Sequence, residues 1–425
     1  MTNICFCFQM HVPYRLKRYR FFDIGNDHYY YDDLATEELV QHVATTSYIP
    51  LCQTVKEMIK LSKGKFRCAF AVSGATIDLF RQFAPELIDL LQDLNQTDAV
   101  EWVAAPFAYS LASEYNKAEW TEQMNRHAQT IKELFNKQPA IIWNTEMLYS
   151  DDIAGYAQEL GYKGVMTEGA KHIISWQSTG HLYASAVAPK MRVLVRNAQL
   201  SDELAFRFSD PTWTAFPMDA EKYADILQQQ DEQEIINLWV GAETFGIRQT
   251  QATGIFDFLK ALPYYVLERE MGFITPSDAI KRLTATETLS VPYPITWAGE
   301  AKDLSTFNGN DLQQEALTKL YAVAERVRLC PSKRLKADWI NLQDISHLHY
   351  MGHQDSGISP YDSPYDAFIN YMNVLSDFLQ LVDEQYPSSI DNEELNSLLR
   401  TIANQEEEIN RLKQQLSKTK KTKTK

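Results

Sequence analysis

The sequence predicts an α/β fold built on parallel strands, and three observations lead to it. Short apolar runs at 4–10, 66–73, 99–105, 140–143, 164–167, 191–195 and 235–240 alternate with segments of helical period. Beyond about residue 250 the helical period continues alone. The chain then ends on a two-per-seven apolar seam. Strands alternating with helices pair in parallel through right-handed crossovers, so seven such units make either a closed barrel or a doubly wound sheet.

The first run, "NICFCFQMHVP", begins almost at the N-terminus, without a basic leader and cleavage site. Between the third and fourth runs, "WTEQMNRHAQTIKELFNK" places Trp120, Met124, Ala128, Ile131 and Phe135 on one helical face. "SDDIAGYAQELG" reads as a helix opened by Ser150 as N-cap and closed by Gly161. In the C-terminal half, "TQATGIFDFLKALPYYVLEREMG", "TPSDAIKRL" with Thr275 before Pro276, "NDLQQEALTKLYAVAERVR" and "SPYDAFINYMNVLSDFLQLVDEQ" read as helices. No low-complexity linker separates the halves, so the helices are expected to pack against the strand-rich part. Leu395, Leu398, Ile402, Gln405, Ile409, Leu412 and Leu416 are spaced 3-4-3-4-3-4, the seam of a coiled coil. A homo-oligomer through residues 395–416 is therefore expected, with a solvated basic tail at 419–425.

Composition narrows the function classes. A chain of 425 residues with 45% hydrophobic content can bury a large core. A net charge of −15 gives no electrostatic reason to bind nucleic acid or an anionic membrane. Cys5, Cys7, Cys52, Cys68 and Cys330 are odd in number and not at zinc-site spacing, so they read as reduced and structural. No run reaches transmembrane length, and a cytoplasmic protein without metal or cofactor is expected.

In parallel barrels the reacting groups stand where strands end. Those positions hold His11, the stretch 106–110, Glu146, Glu168, and Gly241 with Glu243. Phe107, Tyr109, Trp143, Tyr149 and Trp239 lie nearby. Carboxylates beside ring faces suit the CH-rich faces and hydroxyl edges of sugars.

These residues carry a resemblance to the α-amylase-like branch of glycoside hydrolase family 57, from residue 4 to about 380. The family's ordered blocks correspond here to "HVPYRL", "EWVAAPFAYSLAS", "WNTEMLYSDD", "WVGAETFGIRQTQATGIFDFLKALP" and "WAGEAKDLSTFNGNDLQQEAL". The resemblance implies an incomplete (β/α)7 barrel followed by a helical domain, here with a C-terminal coiled-coil helix. The divisions expected are 1–260, 261–388, 389–418 and 419–425. It implies α-glucan or maltooligosaccharide as ligand and retaining chemistry, which uses two carboxyl groups about 5–5.5 Å apart. Glu146 takes the nucleophile's place. The general acid's place is taken by Gly241, which has no proton to give.

Four further family positions depart: Val12 stands for Gln, Tyr109 for His, Trp143 for Arg and Gly299 for Asp. His11, Tyr109, Trp143, Glu243, Trp297 and Glu300 are the expected substrate contacts. Loss of general acid catalysis costs ~10²–10⁴-fold, so weak or absent hydrolysis is expected. Glu243, two residues on, is the alternative acid, but along an extended strand the two positions lie roughly 6–7 Å apart. Asp151 and Glu300 are loop carboxylates with nothing to favour either. A third expectation is an assembly protein that uses the barrel as scaffold.

Overall fold

The computed structural model describes residues 2–174, 177–230, 233–285, 287–352 and 359–385, and, beyond these, 397–398, 400–402, 404–405, 409 and 411. Its strands are β1 (Asn3–Met10), β2 (Cys68–Val72), β3 (Val100–Trp102), β4 (Ile141–Trp143), β5 (Gly164–Thr167), β6 (Tyr183–Ser185), β7 (Arg192–Val195), β8 (Ile235–Gly241), β9 (Gly272–Phe273) and β10 (Glu287–Leu289). Every apolar run read from the sequence contains one of β1, β2, β3, β4, β5, β7 and β8.

Those seven form the barrel wall. β8, β1, β2 and β3 pair in parallel in that order, as do β4, β5 and β7. The two sets meet at Ala104, whose N–H donates to the Ile141 carbonyl at 2.8 Å and whose carbonyl accepts from Trp143 N–H at 2.8 Å. The other seam, between β7 and β8, has no strand ladder. Side chains and single bonds close it instead: Asn197 N–H donates to the Asn237 carbonyl at 2.9 Å, Asn237 Nδ2 to the Val195 carbonyl at 2.7 Å, and Arg196 Nε to the Trp239 carbonyl at 2.8 Å. This is the incompleteness of the barrel.

Alternation along β1 explains why the run looks apolar throughout. Ile4, Phe6, Phe8 and Met10 face the surrounding helices, whereas Cys5 and Cys7 face the interior with Ala69, Ala71, Trp143, Met166 and Trp239. A strand buried on both faces cannot show a polar period. The helix Lys117–Phe135 buries Trp120, Met124, Ile131 and Phe135 of the face its spacing predicts, and leaves Ala128 half-buried. Thr275 caps Pro276–Arg282 through its hydroxyl. Ser150 stands at the N-cap of Asp151–Glu159 without a side-chain cap bond, and the following Asp151 N–H donates to the Val291 carbonyl at 2.8 Å. β6, β9 and β10 were not read from the sequence, being only two or three residues long. β9 pairs with β1 and β10 with β6, so strand pairing reaches Leu289.

The C-terminal helices Asp311–Ala322, Lys333–Leu342, Ile345–Tyr350 and Pro364–Gln385 share a core of Leu317, Trp339, Leu348, Tyr371 and Phe378. That core also takes in Tyr19, Tyr30, Tyr109 and Leu148 from loops of the barrel. A buried amide pair ties the parts: Gln343 Nε2 donates to Glu119 at 2.8 Å, and Gln123 Nε2 to Gln343 at 3.0 Å. The helical part therefore lies across the face where strands β1, β3 and β4 end.

The expected coiled-coil seam falls largely outside the described residues, including Leu395, Leu412 and Leu416. Of its members that are described, Leu398, Ile402, Gln405 and Ile409 are helical and exposed. Among the described residues no helix is long and apolar enough to cross a membrane, and no group of His, Cys, Asp or Glu is placed to hold a metal ion.

Candidate active site

The site forms where β1, β3, β4 and β8 end. His11 follows β1, and its ring is fixed at both nitrogens, Nδ1 on Ser73 Oγ at 2.9 Å and Nε2 on the Asp344 carboxylate at 3.1 Å. Burial alone would raise the Asp344 carboxyl. The charge and hydrogen bond of His11, with His347 behind, outweigh it and hold Asp344 below the usual carboxylate range. Tyr109 stacks on the His11 ring at a centroid distance of 4.3 Å. Its hydroxyl then donates to Glu146 Oε1 at 3.0 Å. One ring thus spans the distance from His11 to the carboxylate.

Glu146 lies just beyond β4 in a tight turn at φ 52°, ψ 30°. Tyr109 and Met147 are also at positive φ, 52° and 55°. Three side-chain-bearing residues in the left-handed region cost about 1–3 kcal/mol each and cluster at sites where position matters. The second oxygen of Glu146 accepts from Trp297 Nε1 at 2.6 Å, and Trp297 N–H donates to the Glu146 carbonyl at 3.0 Å. Lys302 Nζ holds the Trp297 carbonyl at 2.8 Å, so the 295–303 loop is latched over the turn. Trp143 fills the barrel interior edge-on to Trp297 at 5.1 Å and tilted on Trp239 at 6.2 Å.

Gly241 ends β8 at φ −65°, ψ 138°, ordinary extended backbone that any residue adopts. The next three residues turn, and this overturns the separation expected of an extended strand. Glu243 folds back so that its Oε2 lies 2.8 Å from where a β-carbon at 241 would stand, with Gln9 Oε1 3.8 Å from the same point. The Tyr48 hydroxyl donates to the other oxygen, Oε1, and also reaches the His11 carbonyl at 3.3 Å. Burial raises the Glu243 carboxyl above its usual range, against the lowering effect of Tyr48.

His11, Tyr109, Glu146 and Trp297 are thus brought into direct contact, and Glu243 joins them through Tyr48. Val12 is buried in the outer core, its N–H bonded to Thr76 Oγ1. Gly299 sits at φ 62°, where a β-carbon would press Thr306 Oγ1 at 2.7 Å, so that turn suits glycine. Glu168 is fully buried, one oxygen on Arg196 Nη1 at 2.9 Å and the other accepting its neighbour Gly169 N–H. It serves the β7–β8 seam. Glu300 is exposed and makes none of the contacts of the cluster, and Asp151 is bonded to Ser290 at 2.9 Å. Sequence reading missed Ser73, Tyr48 and Asp344. Asp344 lies 333 positions from His11, beyond any local spacing signal.

The model of glycosyl hydrolase family 57 matches residues 5–292. The chain belongs to this family. A protein of Methanocaldococcus jannaschii, provisionally named an alpha-amylase, is 31% identical over 402 residues, covering 90% of this chain and 85% of that one. Among solved structures, this family 57 protein is similar to a branching enzyme of Thermococcus kodakaraensis, with a TM-score of 0.66 at 14% identity, covering 93% of each chain. It is also similar to the alpha-amylase AmyC of Thermotoga maritima, with a TM-score of 0.64 at 13% identity, covering 93% of this chain and 95% of that one. At these identities the structural likeness speaks for the fold, a family 57 barrel with its helical part.

Proposed function

We propose that this family 57 protein binds α-glucan of the starch or glycogen type at the mouth of its barrel and hydrolyses it weakly or not at all. The observation that carries this reading is Gly241: the backbone there would accept an aspartate, yet residue 241 offers no proton to a leaving oxygen. Without it the leaving group departs as a sugar alkoxide, a loss of ~10²–10⁴-fold. Glu146 keeps the nucleophile's place, but both its oxygens accept hydrogen bonds from Tyr109 and Trp297, which lowers its reactivity. The rings of Tyr109, His11 and Trp297 remain as faces for sugar. Calorimetric titration of the full chain with maltoheptaose tests the reading. It predicts saturable heat that Trp297→Ala weakens, and the absence of heat at millimolar sugar would sink it.

A second reading has its own observation. Glu243 places a buried carboxyl, with raised proton affinity, beside the vacant side-chain position of 241. In that reading the protein is a retaining glycosidase or glucanotransferase with Glu243 as acid, and a glycosyl intermediate forms on Glu146. Tyr109, stacked on His11 with its hydroxyl bonded to Glu146, weighs against it.

Residues 395–416 are read as a homo-oligomeric coiled coil, supported by the exposure of Leu398, Ile402 and Ile409, which would multiply weak glucan sites. Five buried free thiols support residence in a reducing, cytoplasmic compartment.

A further inference from the structure

Asp344 reaches the barrel mouth from the helical part. It is the N-cap of the helix Ile345–Tyr350, where its Oδ1 accepts from Ser346 N–H at 2.8 Å. Capping needs only that one bond. The residue is nonetheless 4% exposed and its carboxylate is turned onto the His11 ring, with Oδ1 and Oδ2 3.2 Å and 3.1 Å from Nε2. The next residue, Ile345, donates its N–H to the Tyr109 carbonyl at 3.2 Å. Two consecutive residues of the helical part thus grip the two stacked rings of the mouth. We propose that Asp344 is a positioning residue: it fixes the proton of His11 on Nε2 and the plane of the imidazole against Tyr109, and through Tyr109 it sets the Glu146 carboxylate that an α-glucan meets. The proposal rests on the α-glucan reading above for the ligand, and on the contacts of Asp344 for its role.

The direction of the bond follows from what its atoms carry. Burial works against a charge on Asp344, but the charge and hydrogen bond of His11, with His347 and the Ser346 N–H behind them, hold its carboxyl below the usual range. An ionised carboxylate only accepts, so the hydrogen between the two side chains lies on Nε2. Nδ1 is left to Ser73 at 2.9 Å, whose hydroxyl can give or take a hydrogen. Of the two partners, Asp344 alone therefore dictates the tautomer.

The ring plane matters because Tyr109 lies on it, at a centroid distance of 4.3 Å and an interplanar angle of 26°. The Tyr109 hydroxyl joins Glu146 twice, donating to Oε1 at 3.0 Å and accepting from its N–H at 3.3 Å. A tilted imidazole would shift the phenol and the carboxylate with it. An aspartate that served only as a cap would leave the mouth indifferent to its charge.

The test uses the full chain with nitrogen-15-labelled histidine, its His11 signals assigned with His11→Gln, beside calorimetric titration with maltoheptaose. The parent is expected to show His11 with a protonated Nε2 at neutral pH. A bare Nε2 in the parent would overturn the proposal without any variant. Asn caps a helix about as well as Asp, so Asp344→Asn keeps the helix start while offering the ring either an oxygen or an N–H. That variant should show both neutral tautomers of His11 and bind maltoheptaose roughly tenfold more weakly. An unchanged His11 pattern, or an unchanged affinity beside an altered pattern, would overturn the proposal while the α-glucan reading stands. If the parent itself gives no heat with maltoheptaose, the α-glucan reading falls, and the His11 patterns of parent and variant decide by themselves whether Asp344 fixes the ring.

Discussion

The carboxylate of Glu243 occupies the space beside Gly241, its Oε2 2.8 Å from where a β-carbon would stand. The side-chain space at 241, which the proposal reads as the place of a missing acid, is thus covered by a neighbour. The obstruction to a side chain at 241 is the end of a flexible Glu, not backbone, and the φ of −65° imposes no strain. Gly241→Asp should therefore fold, at a cost of about 1–3 kcal/mol at neutral pH from placing a second carboxyl beside the buried Glu243. On the proposal that the site has lost more than its acid, with Val12, Tyr109, Trp143 and Gly299 also read as departures from the family blocks, that variant should show no measurable gain in maltoheptaose hydrolysis. A clear gain would mean that the missing acid is the main defect.

Tyr109→Phe removes the hydroxyl that donates to Glu146 while keeping the ring on His11. The loss of a hydrogen bond to a charged group should cost about 1.5–3 kcal/mol in chemical denaturation. A variant as stable as the parent would show that Tyr109 does not hold Glu146 in solution.

Arg196 joins Glu168, Asp202 and the Trp239 carbonyl at the seam where the barrel lacks a ladder. Arg196→Met leaves Glu168 buried without its partner, and a loss of about 3–5 kcal/mol is expected. A small loss would mean that the strands close the seam without it.

The stability of the protein should fall as pH rises from about 4.5 towards 7. Burial, with the charge of Asp152, pushes the Glu114 carboxyl up to about 7. In that window the folded chain holds a proton that the unfolded chain releases, so folding weakens as pH rises. Glu243, raised in the same direction, adds to the slope. Glu114→Gln should flatten the profile by on the order of 1–2 kcal/mol, and an unchanged slope would remove Glu114 as its source.

A chain ending at Pro387 should lose self-association. Light scattering of the full chain and the shortened chain should give different subunit numbers, and equal numbers would contradict the coiled-coil reading.

The seven strands were legible because they are apolar throughout and separated by well-punctuated helices, as in "NICFCFQM" and "IINLWVG", whereas the choice of a barrel over a doubly wound sheet came from the family blocks alone. Glu146 and Gly241 were singled out by strand-end position and family blocks, and the proposed roles rest on that reading. Asp344, Ser73 and Tyr48 were not, because each reaches the site by packing from a distant segment. The fold-back of Glu243 was also hidden, since it depends on the turn at 242–244 rather than on the residue types. Glu168 shows that strand-end position alone does not make a site residue: its carboxylate pairs with an internal arginine.

The most direct test of the central claim is a long incubation of concentrated protein with maltoheptaose, beside a Glu146→Gln control, with products resolved by chromatography. The account predicts heptaose that is unchanged, or converted only in trace, in both samples. Extensive conversion to shorter or redistributed glucans that disappears in the control would contradict it and turn attention to Glu243 as the source of the proton.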